Sequence, residues 1–419
     1  MKQTLLGILS SLCISMQAES RRYHPVILPL IQSSIEPSSE TRVYLLEDAL
    51  DLWATVLTQT SSTAILAEVI SLIQYLFPLF DVASDNLRKA LEITESYVYL
   101  IPSDMLSNAR AILGPLASML GKVKREASGM VTFLVELLIR SANSLGALPA
   151  VGELTQALLS SNWLFTMMSG LFDAYHVSQT TGPKREHSKI DGIVETDYLN
   201  VLARLSITSP TLLISAIEIT SYEGQRESNE PIESKMDWLL SEWFAHMDTI
   251  SALTHRKLNC LALTSLLETG QPWILSRLQN LMSEWTSCVT ELVIDKSLDG
   301  DTIDYRDALV YTDPDALKGE GFEAPADERR RLLTFQDPVH RIDLRVFIRE
   351  KLAIAIEGCG GMDAFQRDWV RNVDADVVKG FEELGLFSGI APASATSTSF
   401  SASSNQVNDV HRDLGTQMI

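Results

Sequence analysis

Cysteine is scarce and scattered in this 419-residue chain. Cys13, Cys260, Cys288 and Cys359 form no Cys-x-x-Cys pair, so neither a zinc site nor a disulfide framework is indicated, and they read as reduced, buried thiols. Aromatic residues make up only 7%, and no stretch alternates apolar and polar residues as a half-buried strand requires, which removes β-rich folds from consideration. No segment holds the roughly 18 consecutive apolar residues that span a bilayer; even 63–80 contains Glu68, Ser71 and Gln74. Asn-x-Ser/Thr acceptors are absent, which disfavours secretion. Positive charge is short as well. A formal net charge of -20 speaks against a general nucleic-acid binder, because phosphate binding needs Lys and Arg, and it favours a basic partner. Part of that excess is accounted for by a solvated face that only keeps the protein soluble.

Catalytic groupings are missing too. The histidines are dispersed with no His-x-x-x-His pair, and no Gly-x-Ser-x-Gly elbow occurs. Gly358-Cys359-Gly360-Gly361 lacks the preceding strand and the Lys-Ser/Thr of a phosphate loop, so it reads as a helix stop. Glu47, Asp48 and Asp51 share a helix with Arg42 and read as solvated ion pairs. The sequence gives no reason to expect an enzyme, a metal or a cofactor.

What the chain does have is helical period, over and over. His24-Pro25-Val26-Ile27-Leu28-Pro29-Leu30-Ile31 reads as one short helix, Glu36 marks the turn, and Arg42 opens a partner whose apolar face is Leu46, Ala49, Leu50, Trp53, Val56 and Leu57. A second pair follows. Ile65, Leu66, Val69, Ile70, Ile73, Leu76, Phe77 and Phe80 form its stripe, Asp81 sits at the turn, and Arg88 lies in the first turn of the next helix. The alternation returns at 103–144, 147–177, 191–223 and 234–268. No pair can bury its stripe alone, so neighbours must stack, and the fold class expected is all-α, a HEAT/armadillo-type solenoid of about seven antiparallel helix pairs.

Local signals divide the chain. Ser178–Lys189 and Glu223–Glu233 read as loops, and Ser209-Pro210 starts a helix running through Ile219. The solenoid is expected over 1–294 and an acidic flexible insertion over 295–337. From Asp295 to Asp337 there are twelve acidic against six basic residues, with Arg329-Arg330-Arg331 neutralising Asp327-Glu328 locally. A terminal helical segment is expected over 338–387, and a disordered Ser/Ala/Thr-rich tail over 388–419. At the start, Lys2, the apolar run Leu5–Met16 and Gln17-Ala18-Glu19 loosely satisfy the rules for a secretory signal. Leu5, Leu6, Leu9, Leu12, Cys13 and Met16 also have helical spacing, and a repeat helix there fits better because the following unit needs a cover.

The most specific stretch is 234–294. Met236, Leu239, Leu240, Trp243, Phe244, Met247 and Ile250 form one buried face, and Thr254 is the expected cap of the return helix. Asp248 at the turn with Arg256 or Lys257 early in that helix forms one rung of a polar ladder, for which Glu36 with Arg42 and Asp81 with Arg88 are the corresponding candidates. Glu233, Asp237 and Glu242 offer negative charge nearby for a basic guest.

These residues carry a resemblance. Trp238-Leu239-Leu240-x-x-Trp243-Phe244-x-His246-x-Asp248, followed by Arg256-Lys257-Leu258 and Leu261-Ala262-Leu263-Thr264-Ser265-Leu266-Leu267, resembles the C-terminal HEAT repeats of the importin-β superfamily, in its importin-eleven branch as found in fungi. His24–Ile31 with Tyr44–Trp53 resembles an earlier repeat, and Asp337-Pro338-Val339-His340 with Leu344-Arg345-x-Phe347-Ile348 resembles the last segment. The resemblance implies a nuclear transport receptor that shuttles between cytoplasm and nucleus through the nuclear envelope. Its implied partners are basic protein cargo and nucleoporin phenylalanine-glycine repeats, with no direct nucleic acid and no membrane. Much of the contact with GTP-bound Ran in such receptors lies in an N-terminal half this chain does not match, so the expectation is a C-terminal part to which Ran-driven release does not extend. The competing expectations are a HEAT-repeat scaffold of a cytosolic complex and, if 1–18 is a signal peptide, a secreted helical protein.

Overall fold

The computed structural model describes residues 2–62, 65–80, 85–146, 148–180, 187–225, 230–294 and 306–387. Its helices are, in order, α1 (Lys2–Met16), α2 (His24–Ile35), α3 (Arg42–Gln59), α4 (Ala67–Ser71), α5 (Leu87–Leu100), α6 (Pro102–Ser107), α7 (Ala109–Met119), α8 (Arg125–Ser144), α9 (Leu148–Ser160), α10 (Trp163–Gln179) and α11 (Gly192–Thr208). There follow α12 (Pro210–Ile219), α13 (Ile232–His246), α14 (Leu253–Ser265), α15 (Pro272–Leu275), α16 (Leu278–Leu292), α17 (Pro325–Gln336), α18 (Pro338–Arg341), α19 (Leu344–Gly358), α20 (Met362–Asp368) and α21 (Ala375–Glu383). Two short strands, β1 (Val293–Ile294) and β2 (Arg306–Asp307), pair antiparallel, with Val293 opposite Asp307. The described residues are all-α apart from that pair.

The helices α3, α5, α8, α11, α14 and α16 touch one another in chain order and form one row; α7, α10, α13 and α15 do the same in a second. The reason lies in their stripes. Along α5, Leu87, Ala90, Leu91, Ile93, Thr94, Tyr97, Val98 and Leu100 are buried, a broad stripe that covers about half the helix surface. In α11, by contrast, every residue from Tyr198 to Ser206 is buried, as expected for a helix with neighbours on all sides. The N-terminal α1 rests on α3, but only Leu6 and Cys13 are buried there. Leu5 and Leu12, expected on its buried stripe, face solvent, because a seam of two residues seven apart is far narrower than a core-facing stripe.

Helix starts follow local chemistry where a side chain can reach. Asp191 accepts from the Ile193 N–H at 2.8 Å, and Ser209 accepts from the Leu212 N–H at 3.3 Å with Pro210 in the first helical position. Thr254 does not cap α14. That helix begins two residues earlier than such a cap requires, at Leu253, with Ala252 in extended conformation at the cap position and no side-chain bond.

Buried indoles tie neighbouring helices together. Trp53 on α3 donates to Tyr97 Oη on α5 at 2.9 Å, and that phenol donates to the Val69 carbonyl at 2.6 Å. Trp243 on α13 donates to Asn259 Oδ1 on α14 at 2.7 Å, while Asn259 Nδ2 donates to Asn200 Oδ1 on α11, also at 2.7 Å. Trp285 on α16 donates to Thr264 Oγ1 on α14 at 2.7 Å. Each interface thus gains a large apolar surface together with one directional bond.

The expected flexible insertion needs correction in its described part. Residues 306–337 contain β2, a short 3-10 turn over Pro314–Leu317 and the helix α17, which lies across α3, α5 and α8. The three arginines do not neutralise their own neighbours alone. Arg329 donates to the carbonyls of Thr60 and Leu57 (3.0 Å to the latter) at the end of α3, Arg330 pairs with Glu95 at 3.3 Å and lies over the Tyr99 ring, and Arg331 binds Glu323 and Asp315. A cation at a helix C-terminus meets unsatisfied carbonyls and the negative end of the helix dipole. Partners so distant in sequence are invisible to a reading of charge runs. Beyond it, Phe381 of α21 packs on Trp285 with ring centroids 5.6 Å apart, closing the end of the row. Residues 295–305 and the tail from 388 onward lie outside the described residues.

Candidate functional site

The candidate ladder does not assemble as one repeated element. Asp248 is 92% exposed and lies 4.0 Å from Arg256 Nη2. Arg256 instead ion-pairs with Glu291 and donates to Ser287 Oγ at 3.3 Å, joining α14 to α16. Lys257, about 100° further round the helix, points the other way, fully buried, with Nζ 2.8 Å from Asp307 Oδ2. Burial pushes its pKa down and Asp307 holds it up. Glu36 is the residue at which α2 stops, and Arg42 opens α3 and lines a cavity with Glu47, Asp48 and Asp85. Arg88 pairs with Glu92 of its own helix at 3.2 Å, and Asp81 lies outside the described residues. The turns differ in length and geometry, so each cation takes whichever carboxylate packing brings to it.

The three acids expected to meet a guest separate as well. Glu233 is exposed in the first turn of α13. Asp237 is exposed but holds Arg277, which also donates to Ser241 Oγ at 2.9 Å. Glu242 is buried and leaves the surface altogether, its Oε1 lying 3.0 Å from His246 Nε2. Glu195 of α11 meets the same nitrogen at 2.6 Å. Hydrogen bonds to Glu195 and Glu242 lift the His246 pKa to about 9, so the imidazolium bridges α11 and α13 at neutral pH. Two carboxylates and an imidazole with ligand atoms within 4.8 Å form a donor set a divalent cation can accept, though here a proton already does that work.

The cavity lined by Arg42 is the larger, at about 590 Å³, but an aromatic-walled one opens between α10 and α13. A cavity of about 420 Å³ there is lined by Phe172, Tyr175, Tyr222, Trp238, Glu230 and Asp237, among others. A neighbouring cavity of about 330 Å³ shares Phe172 and adds Asp173, Glu223 and Lys189. Lys189 is engaged by Glu223 at 3.1 Å, and Lys235, the cation next in line on α13, is buried and donates to the carbonyls of Ile217, Glu218 and Thr220. Both cavities are therefore predominantly acidic. Gly224 makes their wall possible: at φ +86° a Cβ would be strained and would meet the Phe172 ring at 2.9 Å. No contiguous motif announces this groove, since its rings come from α10, the loop after α12, and α13.

Neither row contains a segment able to cross a membrane: no helix among the described residues is long and apolar enough. Residues 3–386 match the family described as importin-11-like, TPR repeats. The chain is 26% identical to human importin-11 over 384 residues, covering 90% of this chain and 36% of that protein. It is 25% identical to the importin beta-like protein kap113 of Schizosaccharomyces pombe, covering 92% and 35% respectively. The importin beta-like protein KAP120 of Saccharomyces cerevisiae is 24% identical, with 93% and 37% covered. The chain thus spans a little over a third of the length of the curated relatives it matches. Among solved structures, Lph2 of S. cerevisiae, described as a bidirectional nuclear transport receptor, superposes with a TM-score of 0.70 at 21% identity over 91% of this chain and 38% of that one. With a family match that runs from α1 to the end of the described helices, this chain belongs to the importin-11-like family.

Proposed function

We propose that this chain is a cargo-holding portion of an importin-type nuclear transport receptor, without an enzymatic step of its own. The observation that carries the reading is the family match over residues 3–386, to proteins that include importin-11. In this reading the two rows are the two sides of a HEAT- or armadillo-type solenoid of about seven helix pairs, drawn from the C-terminal part of the receptor. Its net charge of -20 suits basic protein cargo. Nucleoporin phenylalanine-glycine repeats are the second class of partner, met in the nucleus, in the cytoplasm and at the nuclear envelope. No contact with GTP-bound Ran is assigned to this chain, which spans about a third of the relatives it matches.

The ordered segment 306–341 bears on where cargo sits. It covers α3, α5 and α8, so the guest is assigned to surface that it leaves open, above all the acidic groove between α10 and α13 where Glu233 and Asp237 are exposed. The test is retention of basic proteins, such as ribosomal proteins, on the immobilised chain over a salt series, with and without GTP-loaded Ran. Retention that weakens as salt rises and is indifferent to Ran is the expected outcome. A folded chain that holds no basic protein at low salt overturns the proposal.

A further inference from the structure

The groove between α10 and α13 has a composition that selects for one chemical group. Phe172 and Trp238 stand 5.2 Å apart between ring centroids, Tyr222 is 4.6 Å from Phe172 and 5.3 Å from Trp238, and Tyr175 is 6.1 Å from Trp238. Trp238 Nε1 donates to Tyr222 Oη at 3.2 Å, and that hydroxyl donates to Glu230. Among the described residues, the side chains that donate to Glu230 are neutral hydroxyls, those of Tyr222 and Ser234. Such bonds orient the carboxylate and leave its charge in place. Burial first, and the bond to Glu230 second, push the Tyr222 pKa up, so the phenol stays a neutral donor facing an anion.

A purely apolar side chain fits such a site poorly, because it would cover Glu230 without pairing it. An anion is repelled by Glu230 and Asp237. A flat cation meets both requirements: its face lies on the electron-rich face of an indole or phenol, and its N–H edge binds a carboxylate through two parallel bonds. We propose that this groove binds an arginine side chain of the protein partner, stacking the guanidinium on the partly exposed Tyr175 ring and pairing it with Glu230. The proposal rests on the transport reading and adds a defined subsite to it. Asp237, held by Arg277, forms the rim; the buried Trp238 and Tyr222 back the partly exposed Tyr175 and Phe172.

Saturation-transfer NMR on the full chain with N-acetyl-arginine amide tests this, with N-acetyl-citrulline amide as the neutral isostere. The expected result is transfer to the arginine side-chain protons, at least tenfold weaker for citrulline. Glu230→Gln and, separately, Tyr175→Leu each remove most of the arginine signal. Both residues are partly exposed, so circular dichroism and the urea midpoint are expected to stay unchanged. Equal signals from arginine and citrulline overturn the proposal, as does an arginine signal that survives both substitutions. If basic proteins are still retained by Glu230→Gln and Tyr175→Leu at wild-type strength, the subsite falls and the transport reading stands. If N-acetyl-arginine amide binds as described while no basic protein is retained, the transport reading falls alone.

Discussion

Arg204 holds Asp337 with a single terminal nitrogen, Nη1, that lies 2.8 Å from one carboxylate oxygen and 2.9 Å from the other, across 133 positions of chain. Arg140 reaches the same carboxylate at 2.8 Å, and Glu136 balances Arg204 at 3.2 Å. All four side chains are buried or nearly so, and together they fasten the end of α17 and the start of α18 to α8 and α11.

Removing one member of that cluster leaves charge without a partner in a poorly solvated place. Asp337→Ala is expected to cost about 3–5 kcal/mol, read as a lower urea midpoint at unchanged slope. Replacing Asp337 and Arg204 together by leucine and methionine should cost less than the sum of the single changes. Burial alone would raise the Asp337 pKa, but Arg204 and Arg140 hold it below its ordinary 3.8. Its contribution is therefore present above that value and lost as pH falls through the depressed one, and the Asp337→Asn variant should show a shallower loss of stability in acid.

His246 gives the opposite sign. Its folded-state pKa of about 9 lies above the ordinary 6.5, so the contribution of the imidazolium is lost as pH rises through about 9, while burial pushes the Glu195 carboxyl up and sets the acid limit of the bridge. The wild-type thermal midpoint should fall between pH 6.5 and about 9 by more than that of His246→Gln. Parallel curves for the two proteins would show that the imidazolium does not bridge the helices.

Trp243→Phe keeps most of the buried ring but strands Asn259 Oδ1 between α13 and α14. The expected cost is about 1–3 kcal/mol, the penalty of a buried acceptor without its donor. Urea unfolding followed by far-ultraviolet circular dichroism measures it.

Arg329→Ala removes the cation from the end of α3. Amides of 325–336 should exchange faster by hydrogen–deuterium mass spectrometry, while those of α11 and α14 keep their protection. Uniform acceleration across the chain would mean that α17 is part of the global unit and does not open by itself.

Much of the molecule was legible in the residues. The stripes of α3 and α13, the start of α12 at Ser209-Pro210 and the stop at Gly358 rest on spacings of three and four residues and on caps one turn away. The site was less so. Asp248 and Arg256 do come together, at 4.0 Å, but the stronger partner of Arg256 is Glu291, and Lys257 belongs to Asp307. Glu242 reads in sequence as one more surface acid; its i, i+4 spacing to His246 is a local signal, but nothing local shows that Glu195 of α11 completes the enclosure.

The sequence by itself settled that the chain is helical, where many helices begin and end, and that its surface is acidic, because helical period, capping and net charge are fixed by residues within one or two turns of each other. Tertiary structure alone decided that 306–341 folds back over α3, α5 and α8, which carboxylate each buried cation meets, and that rings from three separate elements share one groove. Those outcomes depend on how side chains pack across helices tens to hundreds of positions apart, and the burial that makes such pairs strong exists only once the helices have stacked.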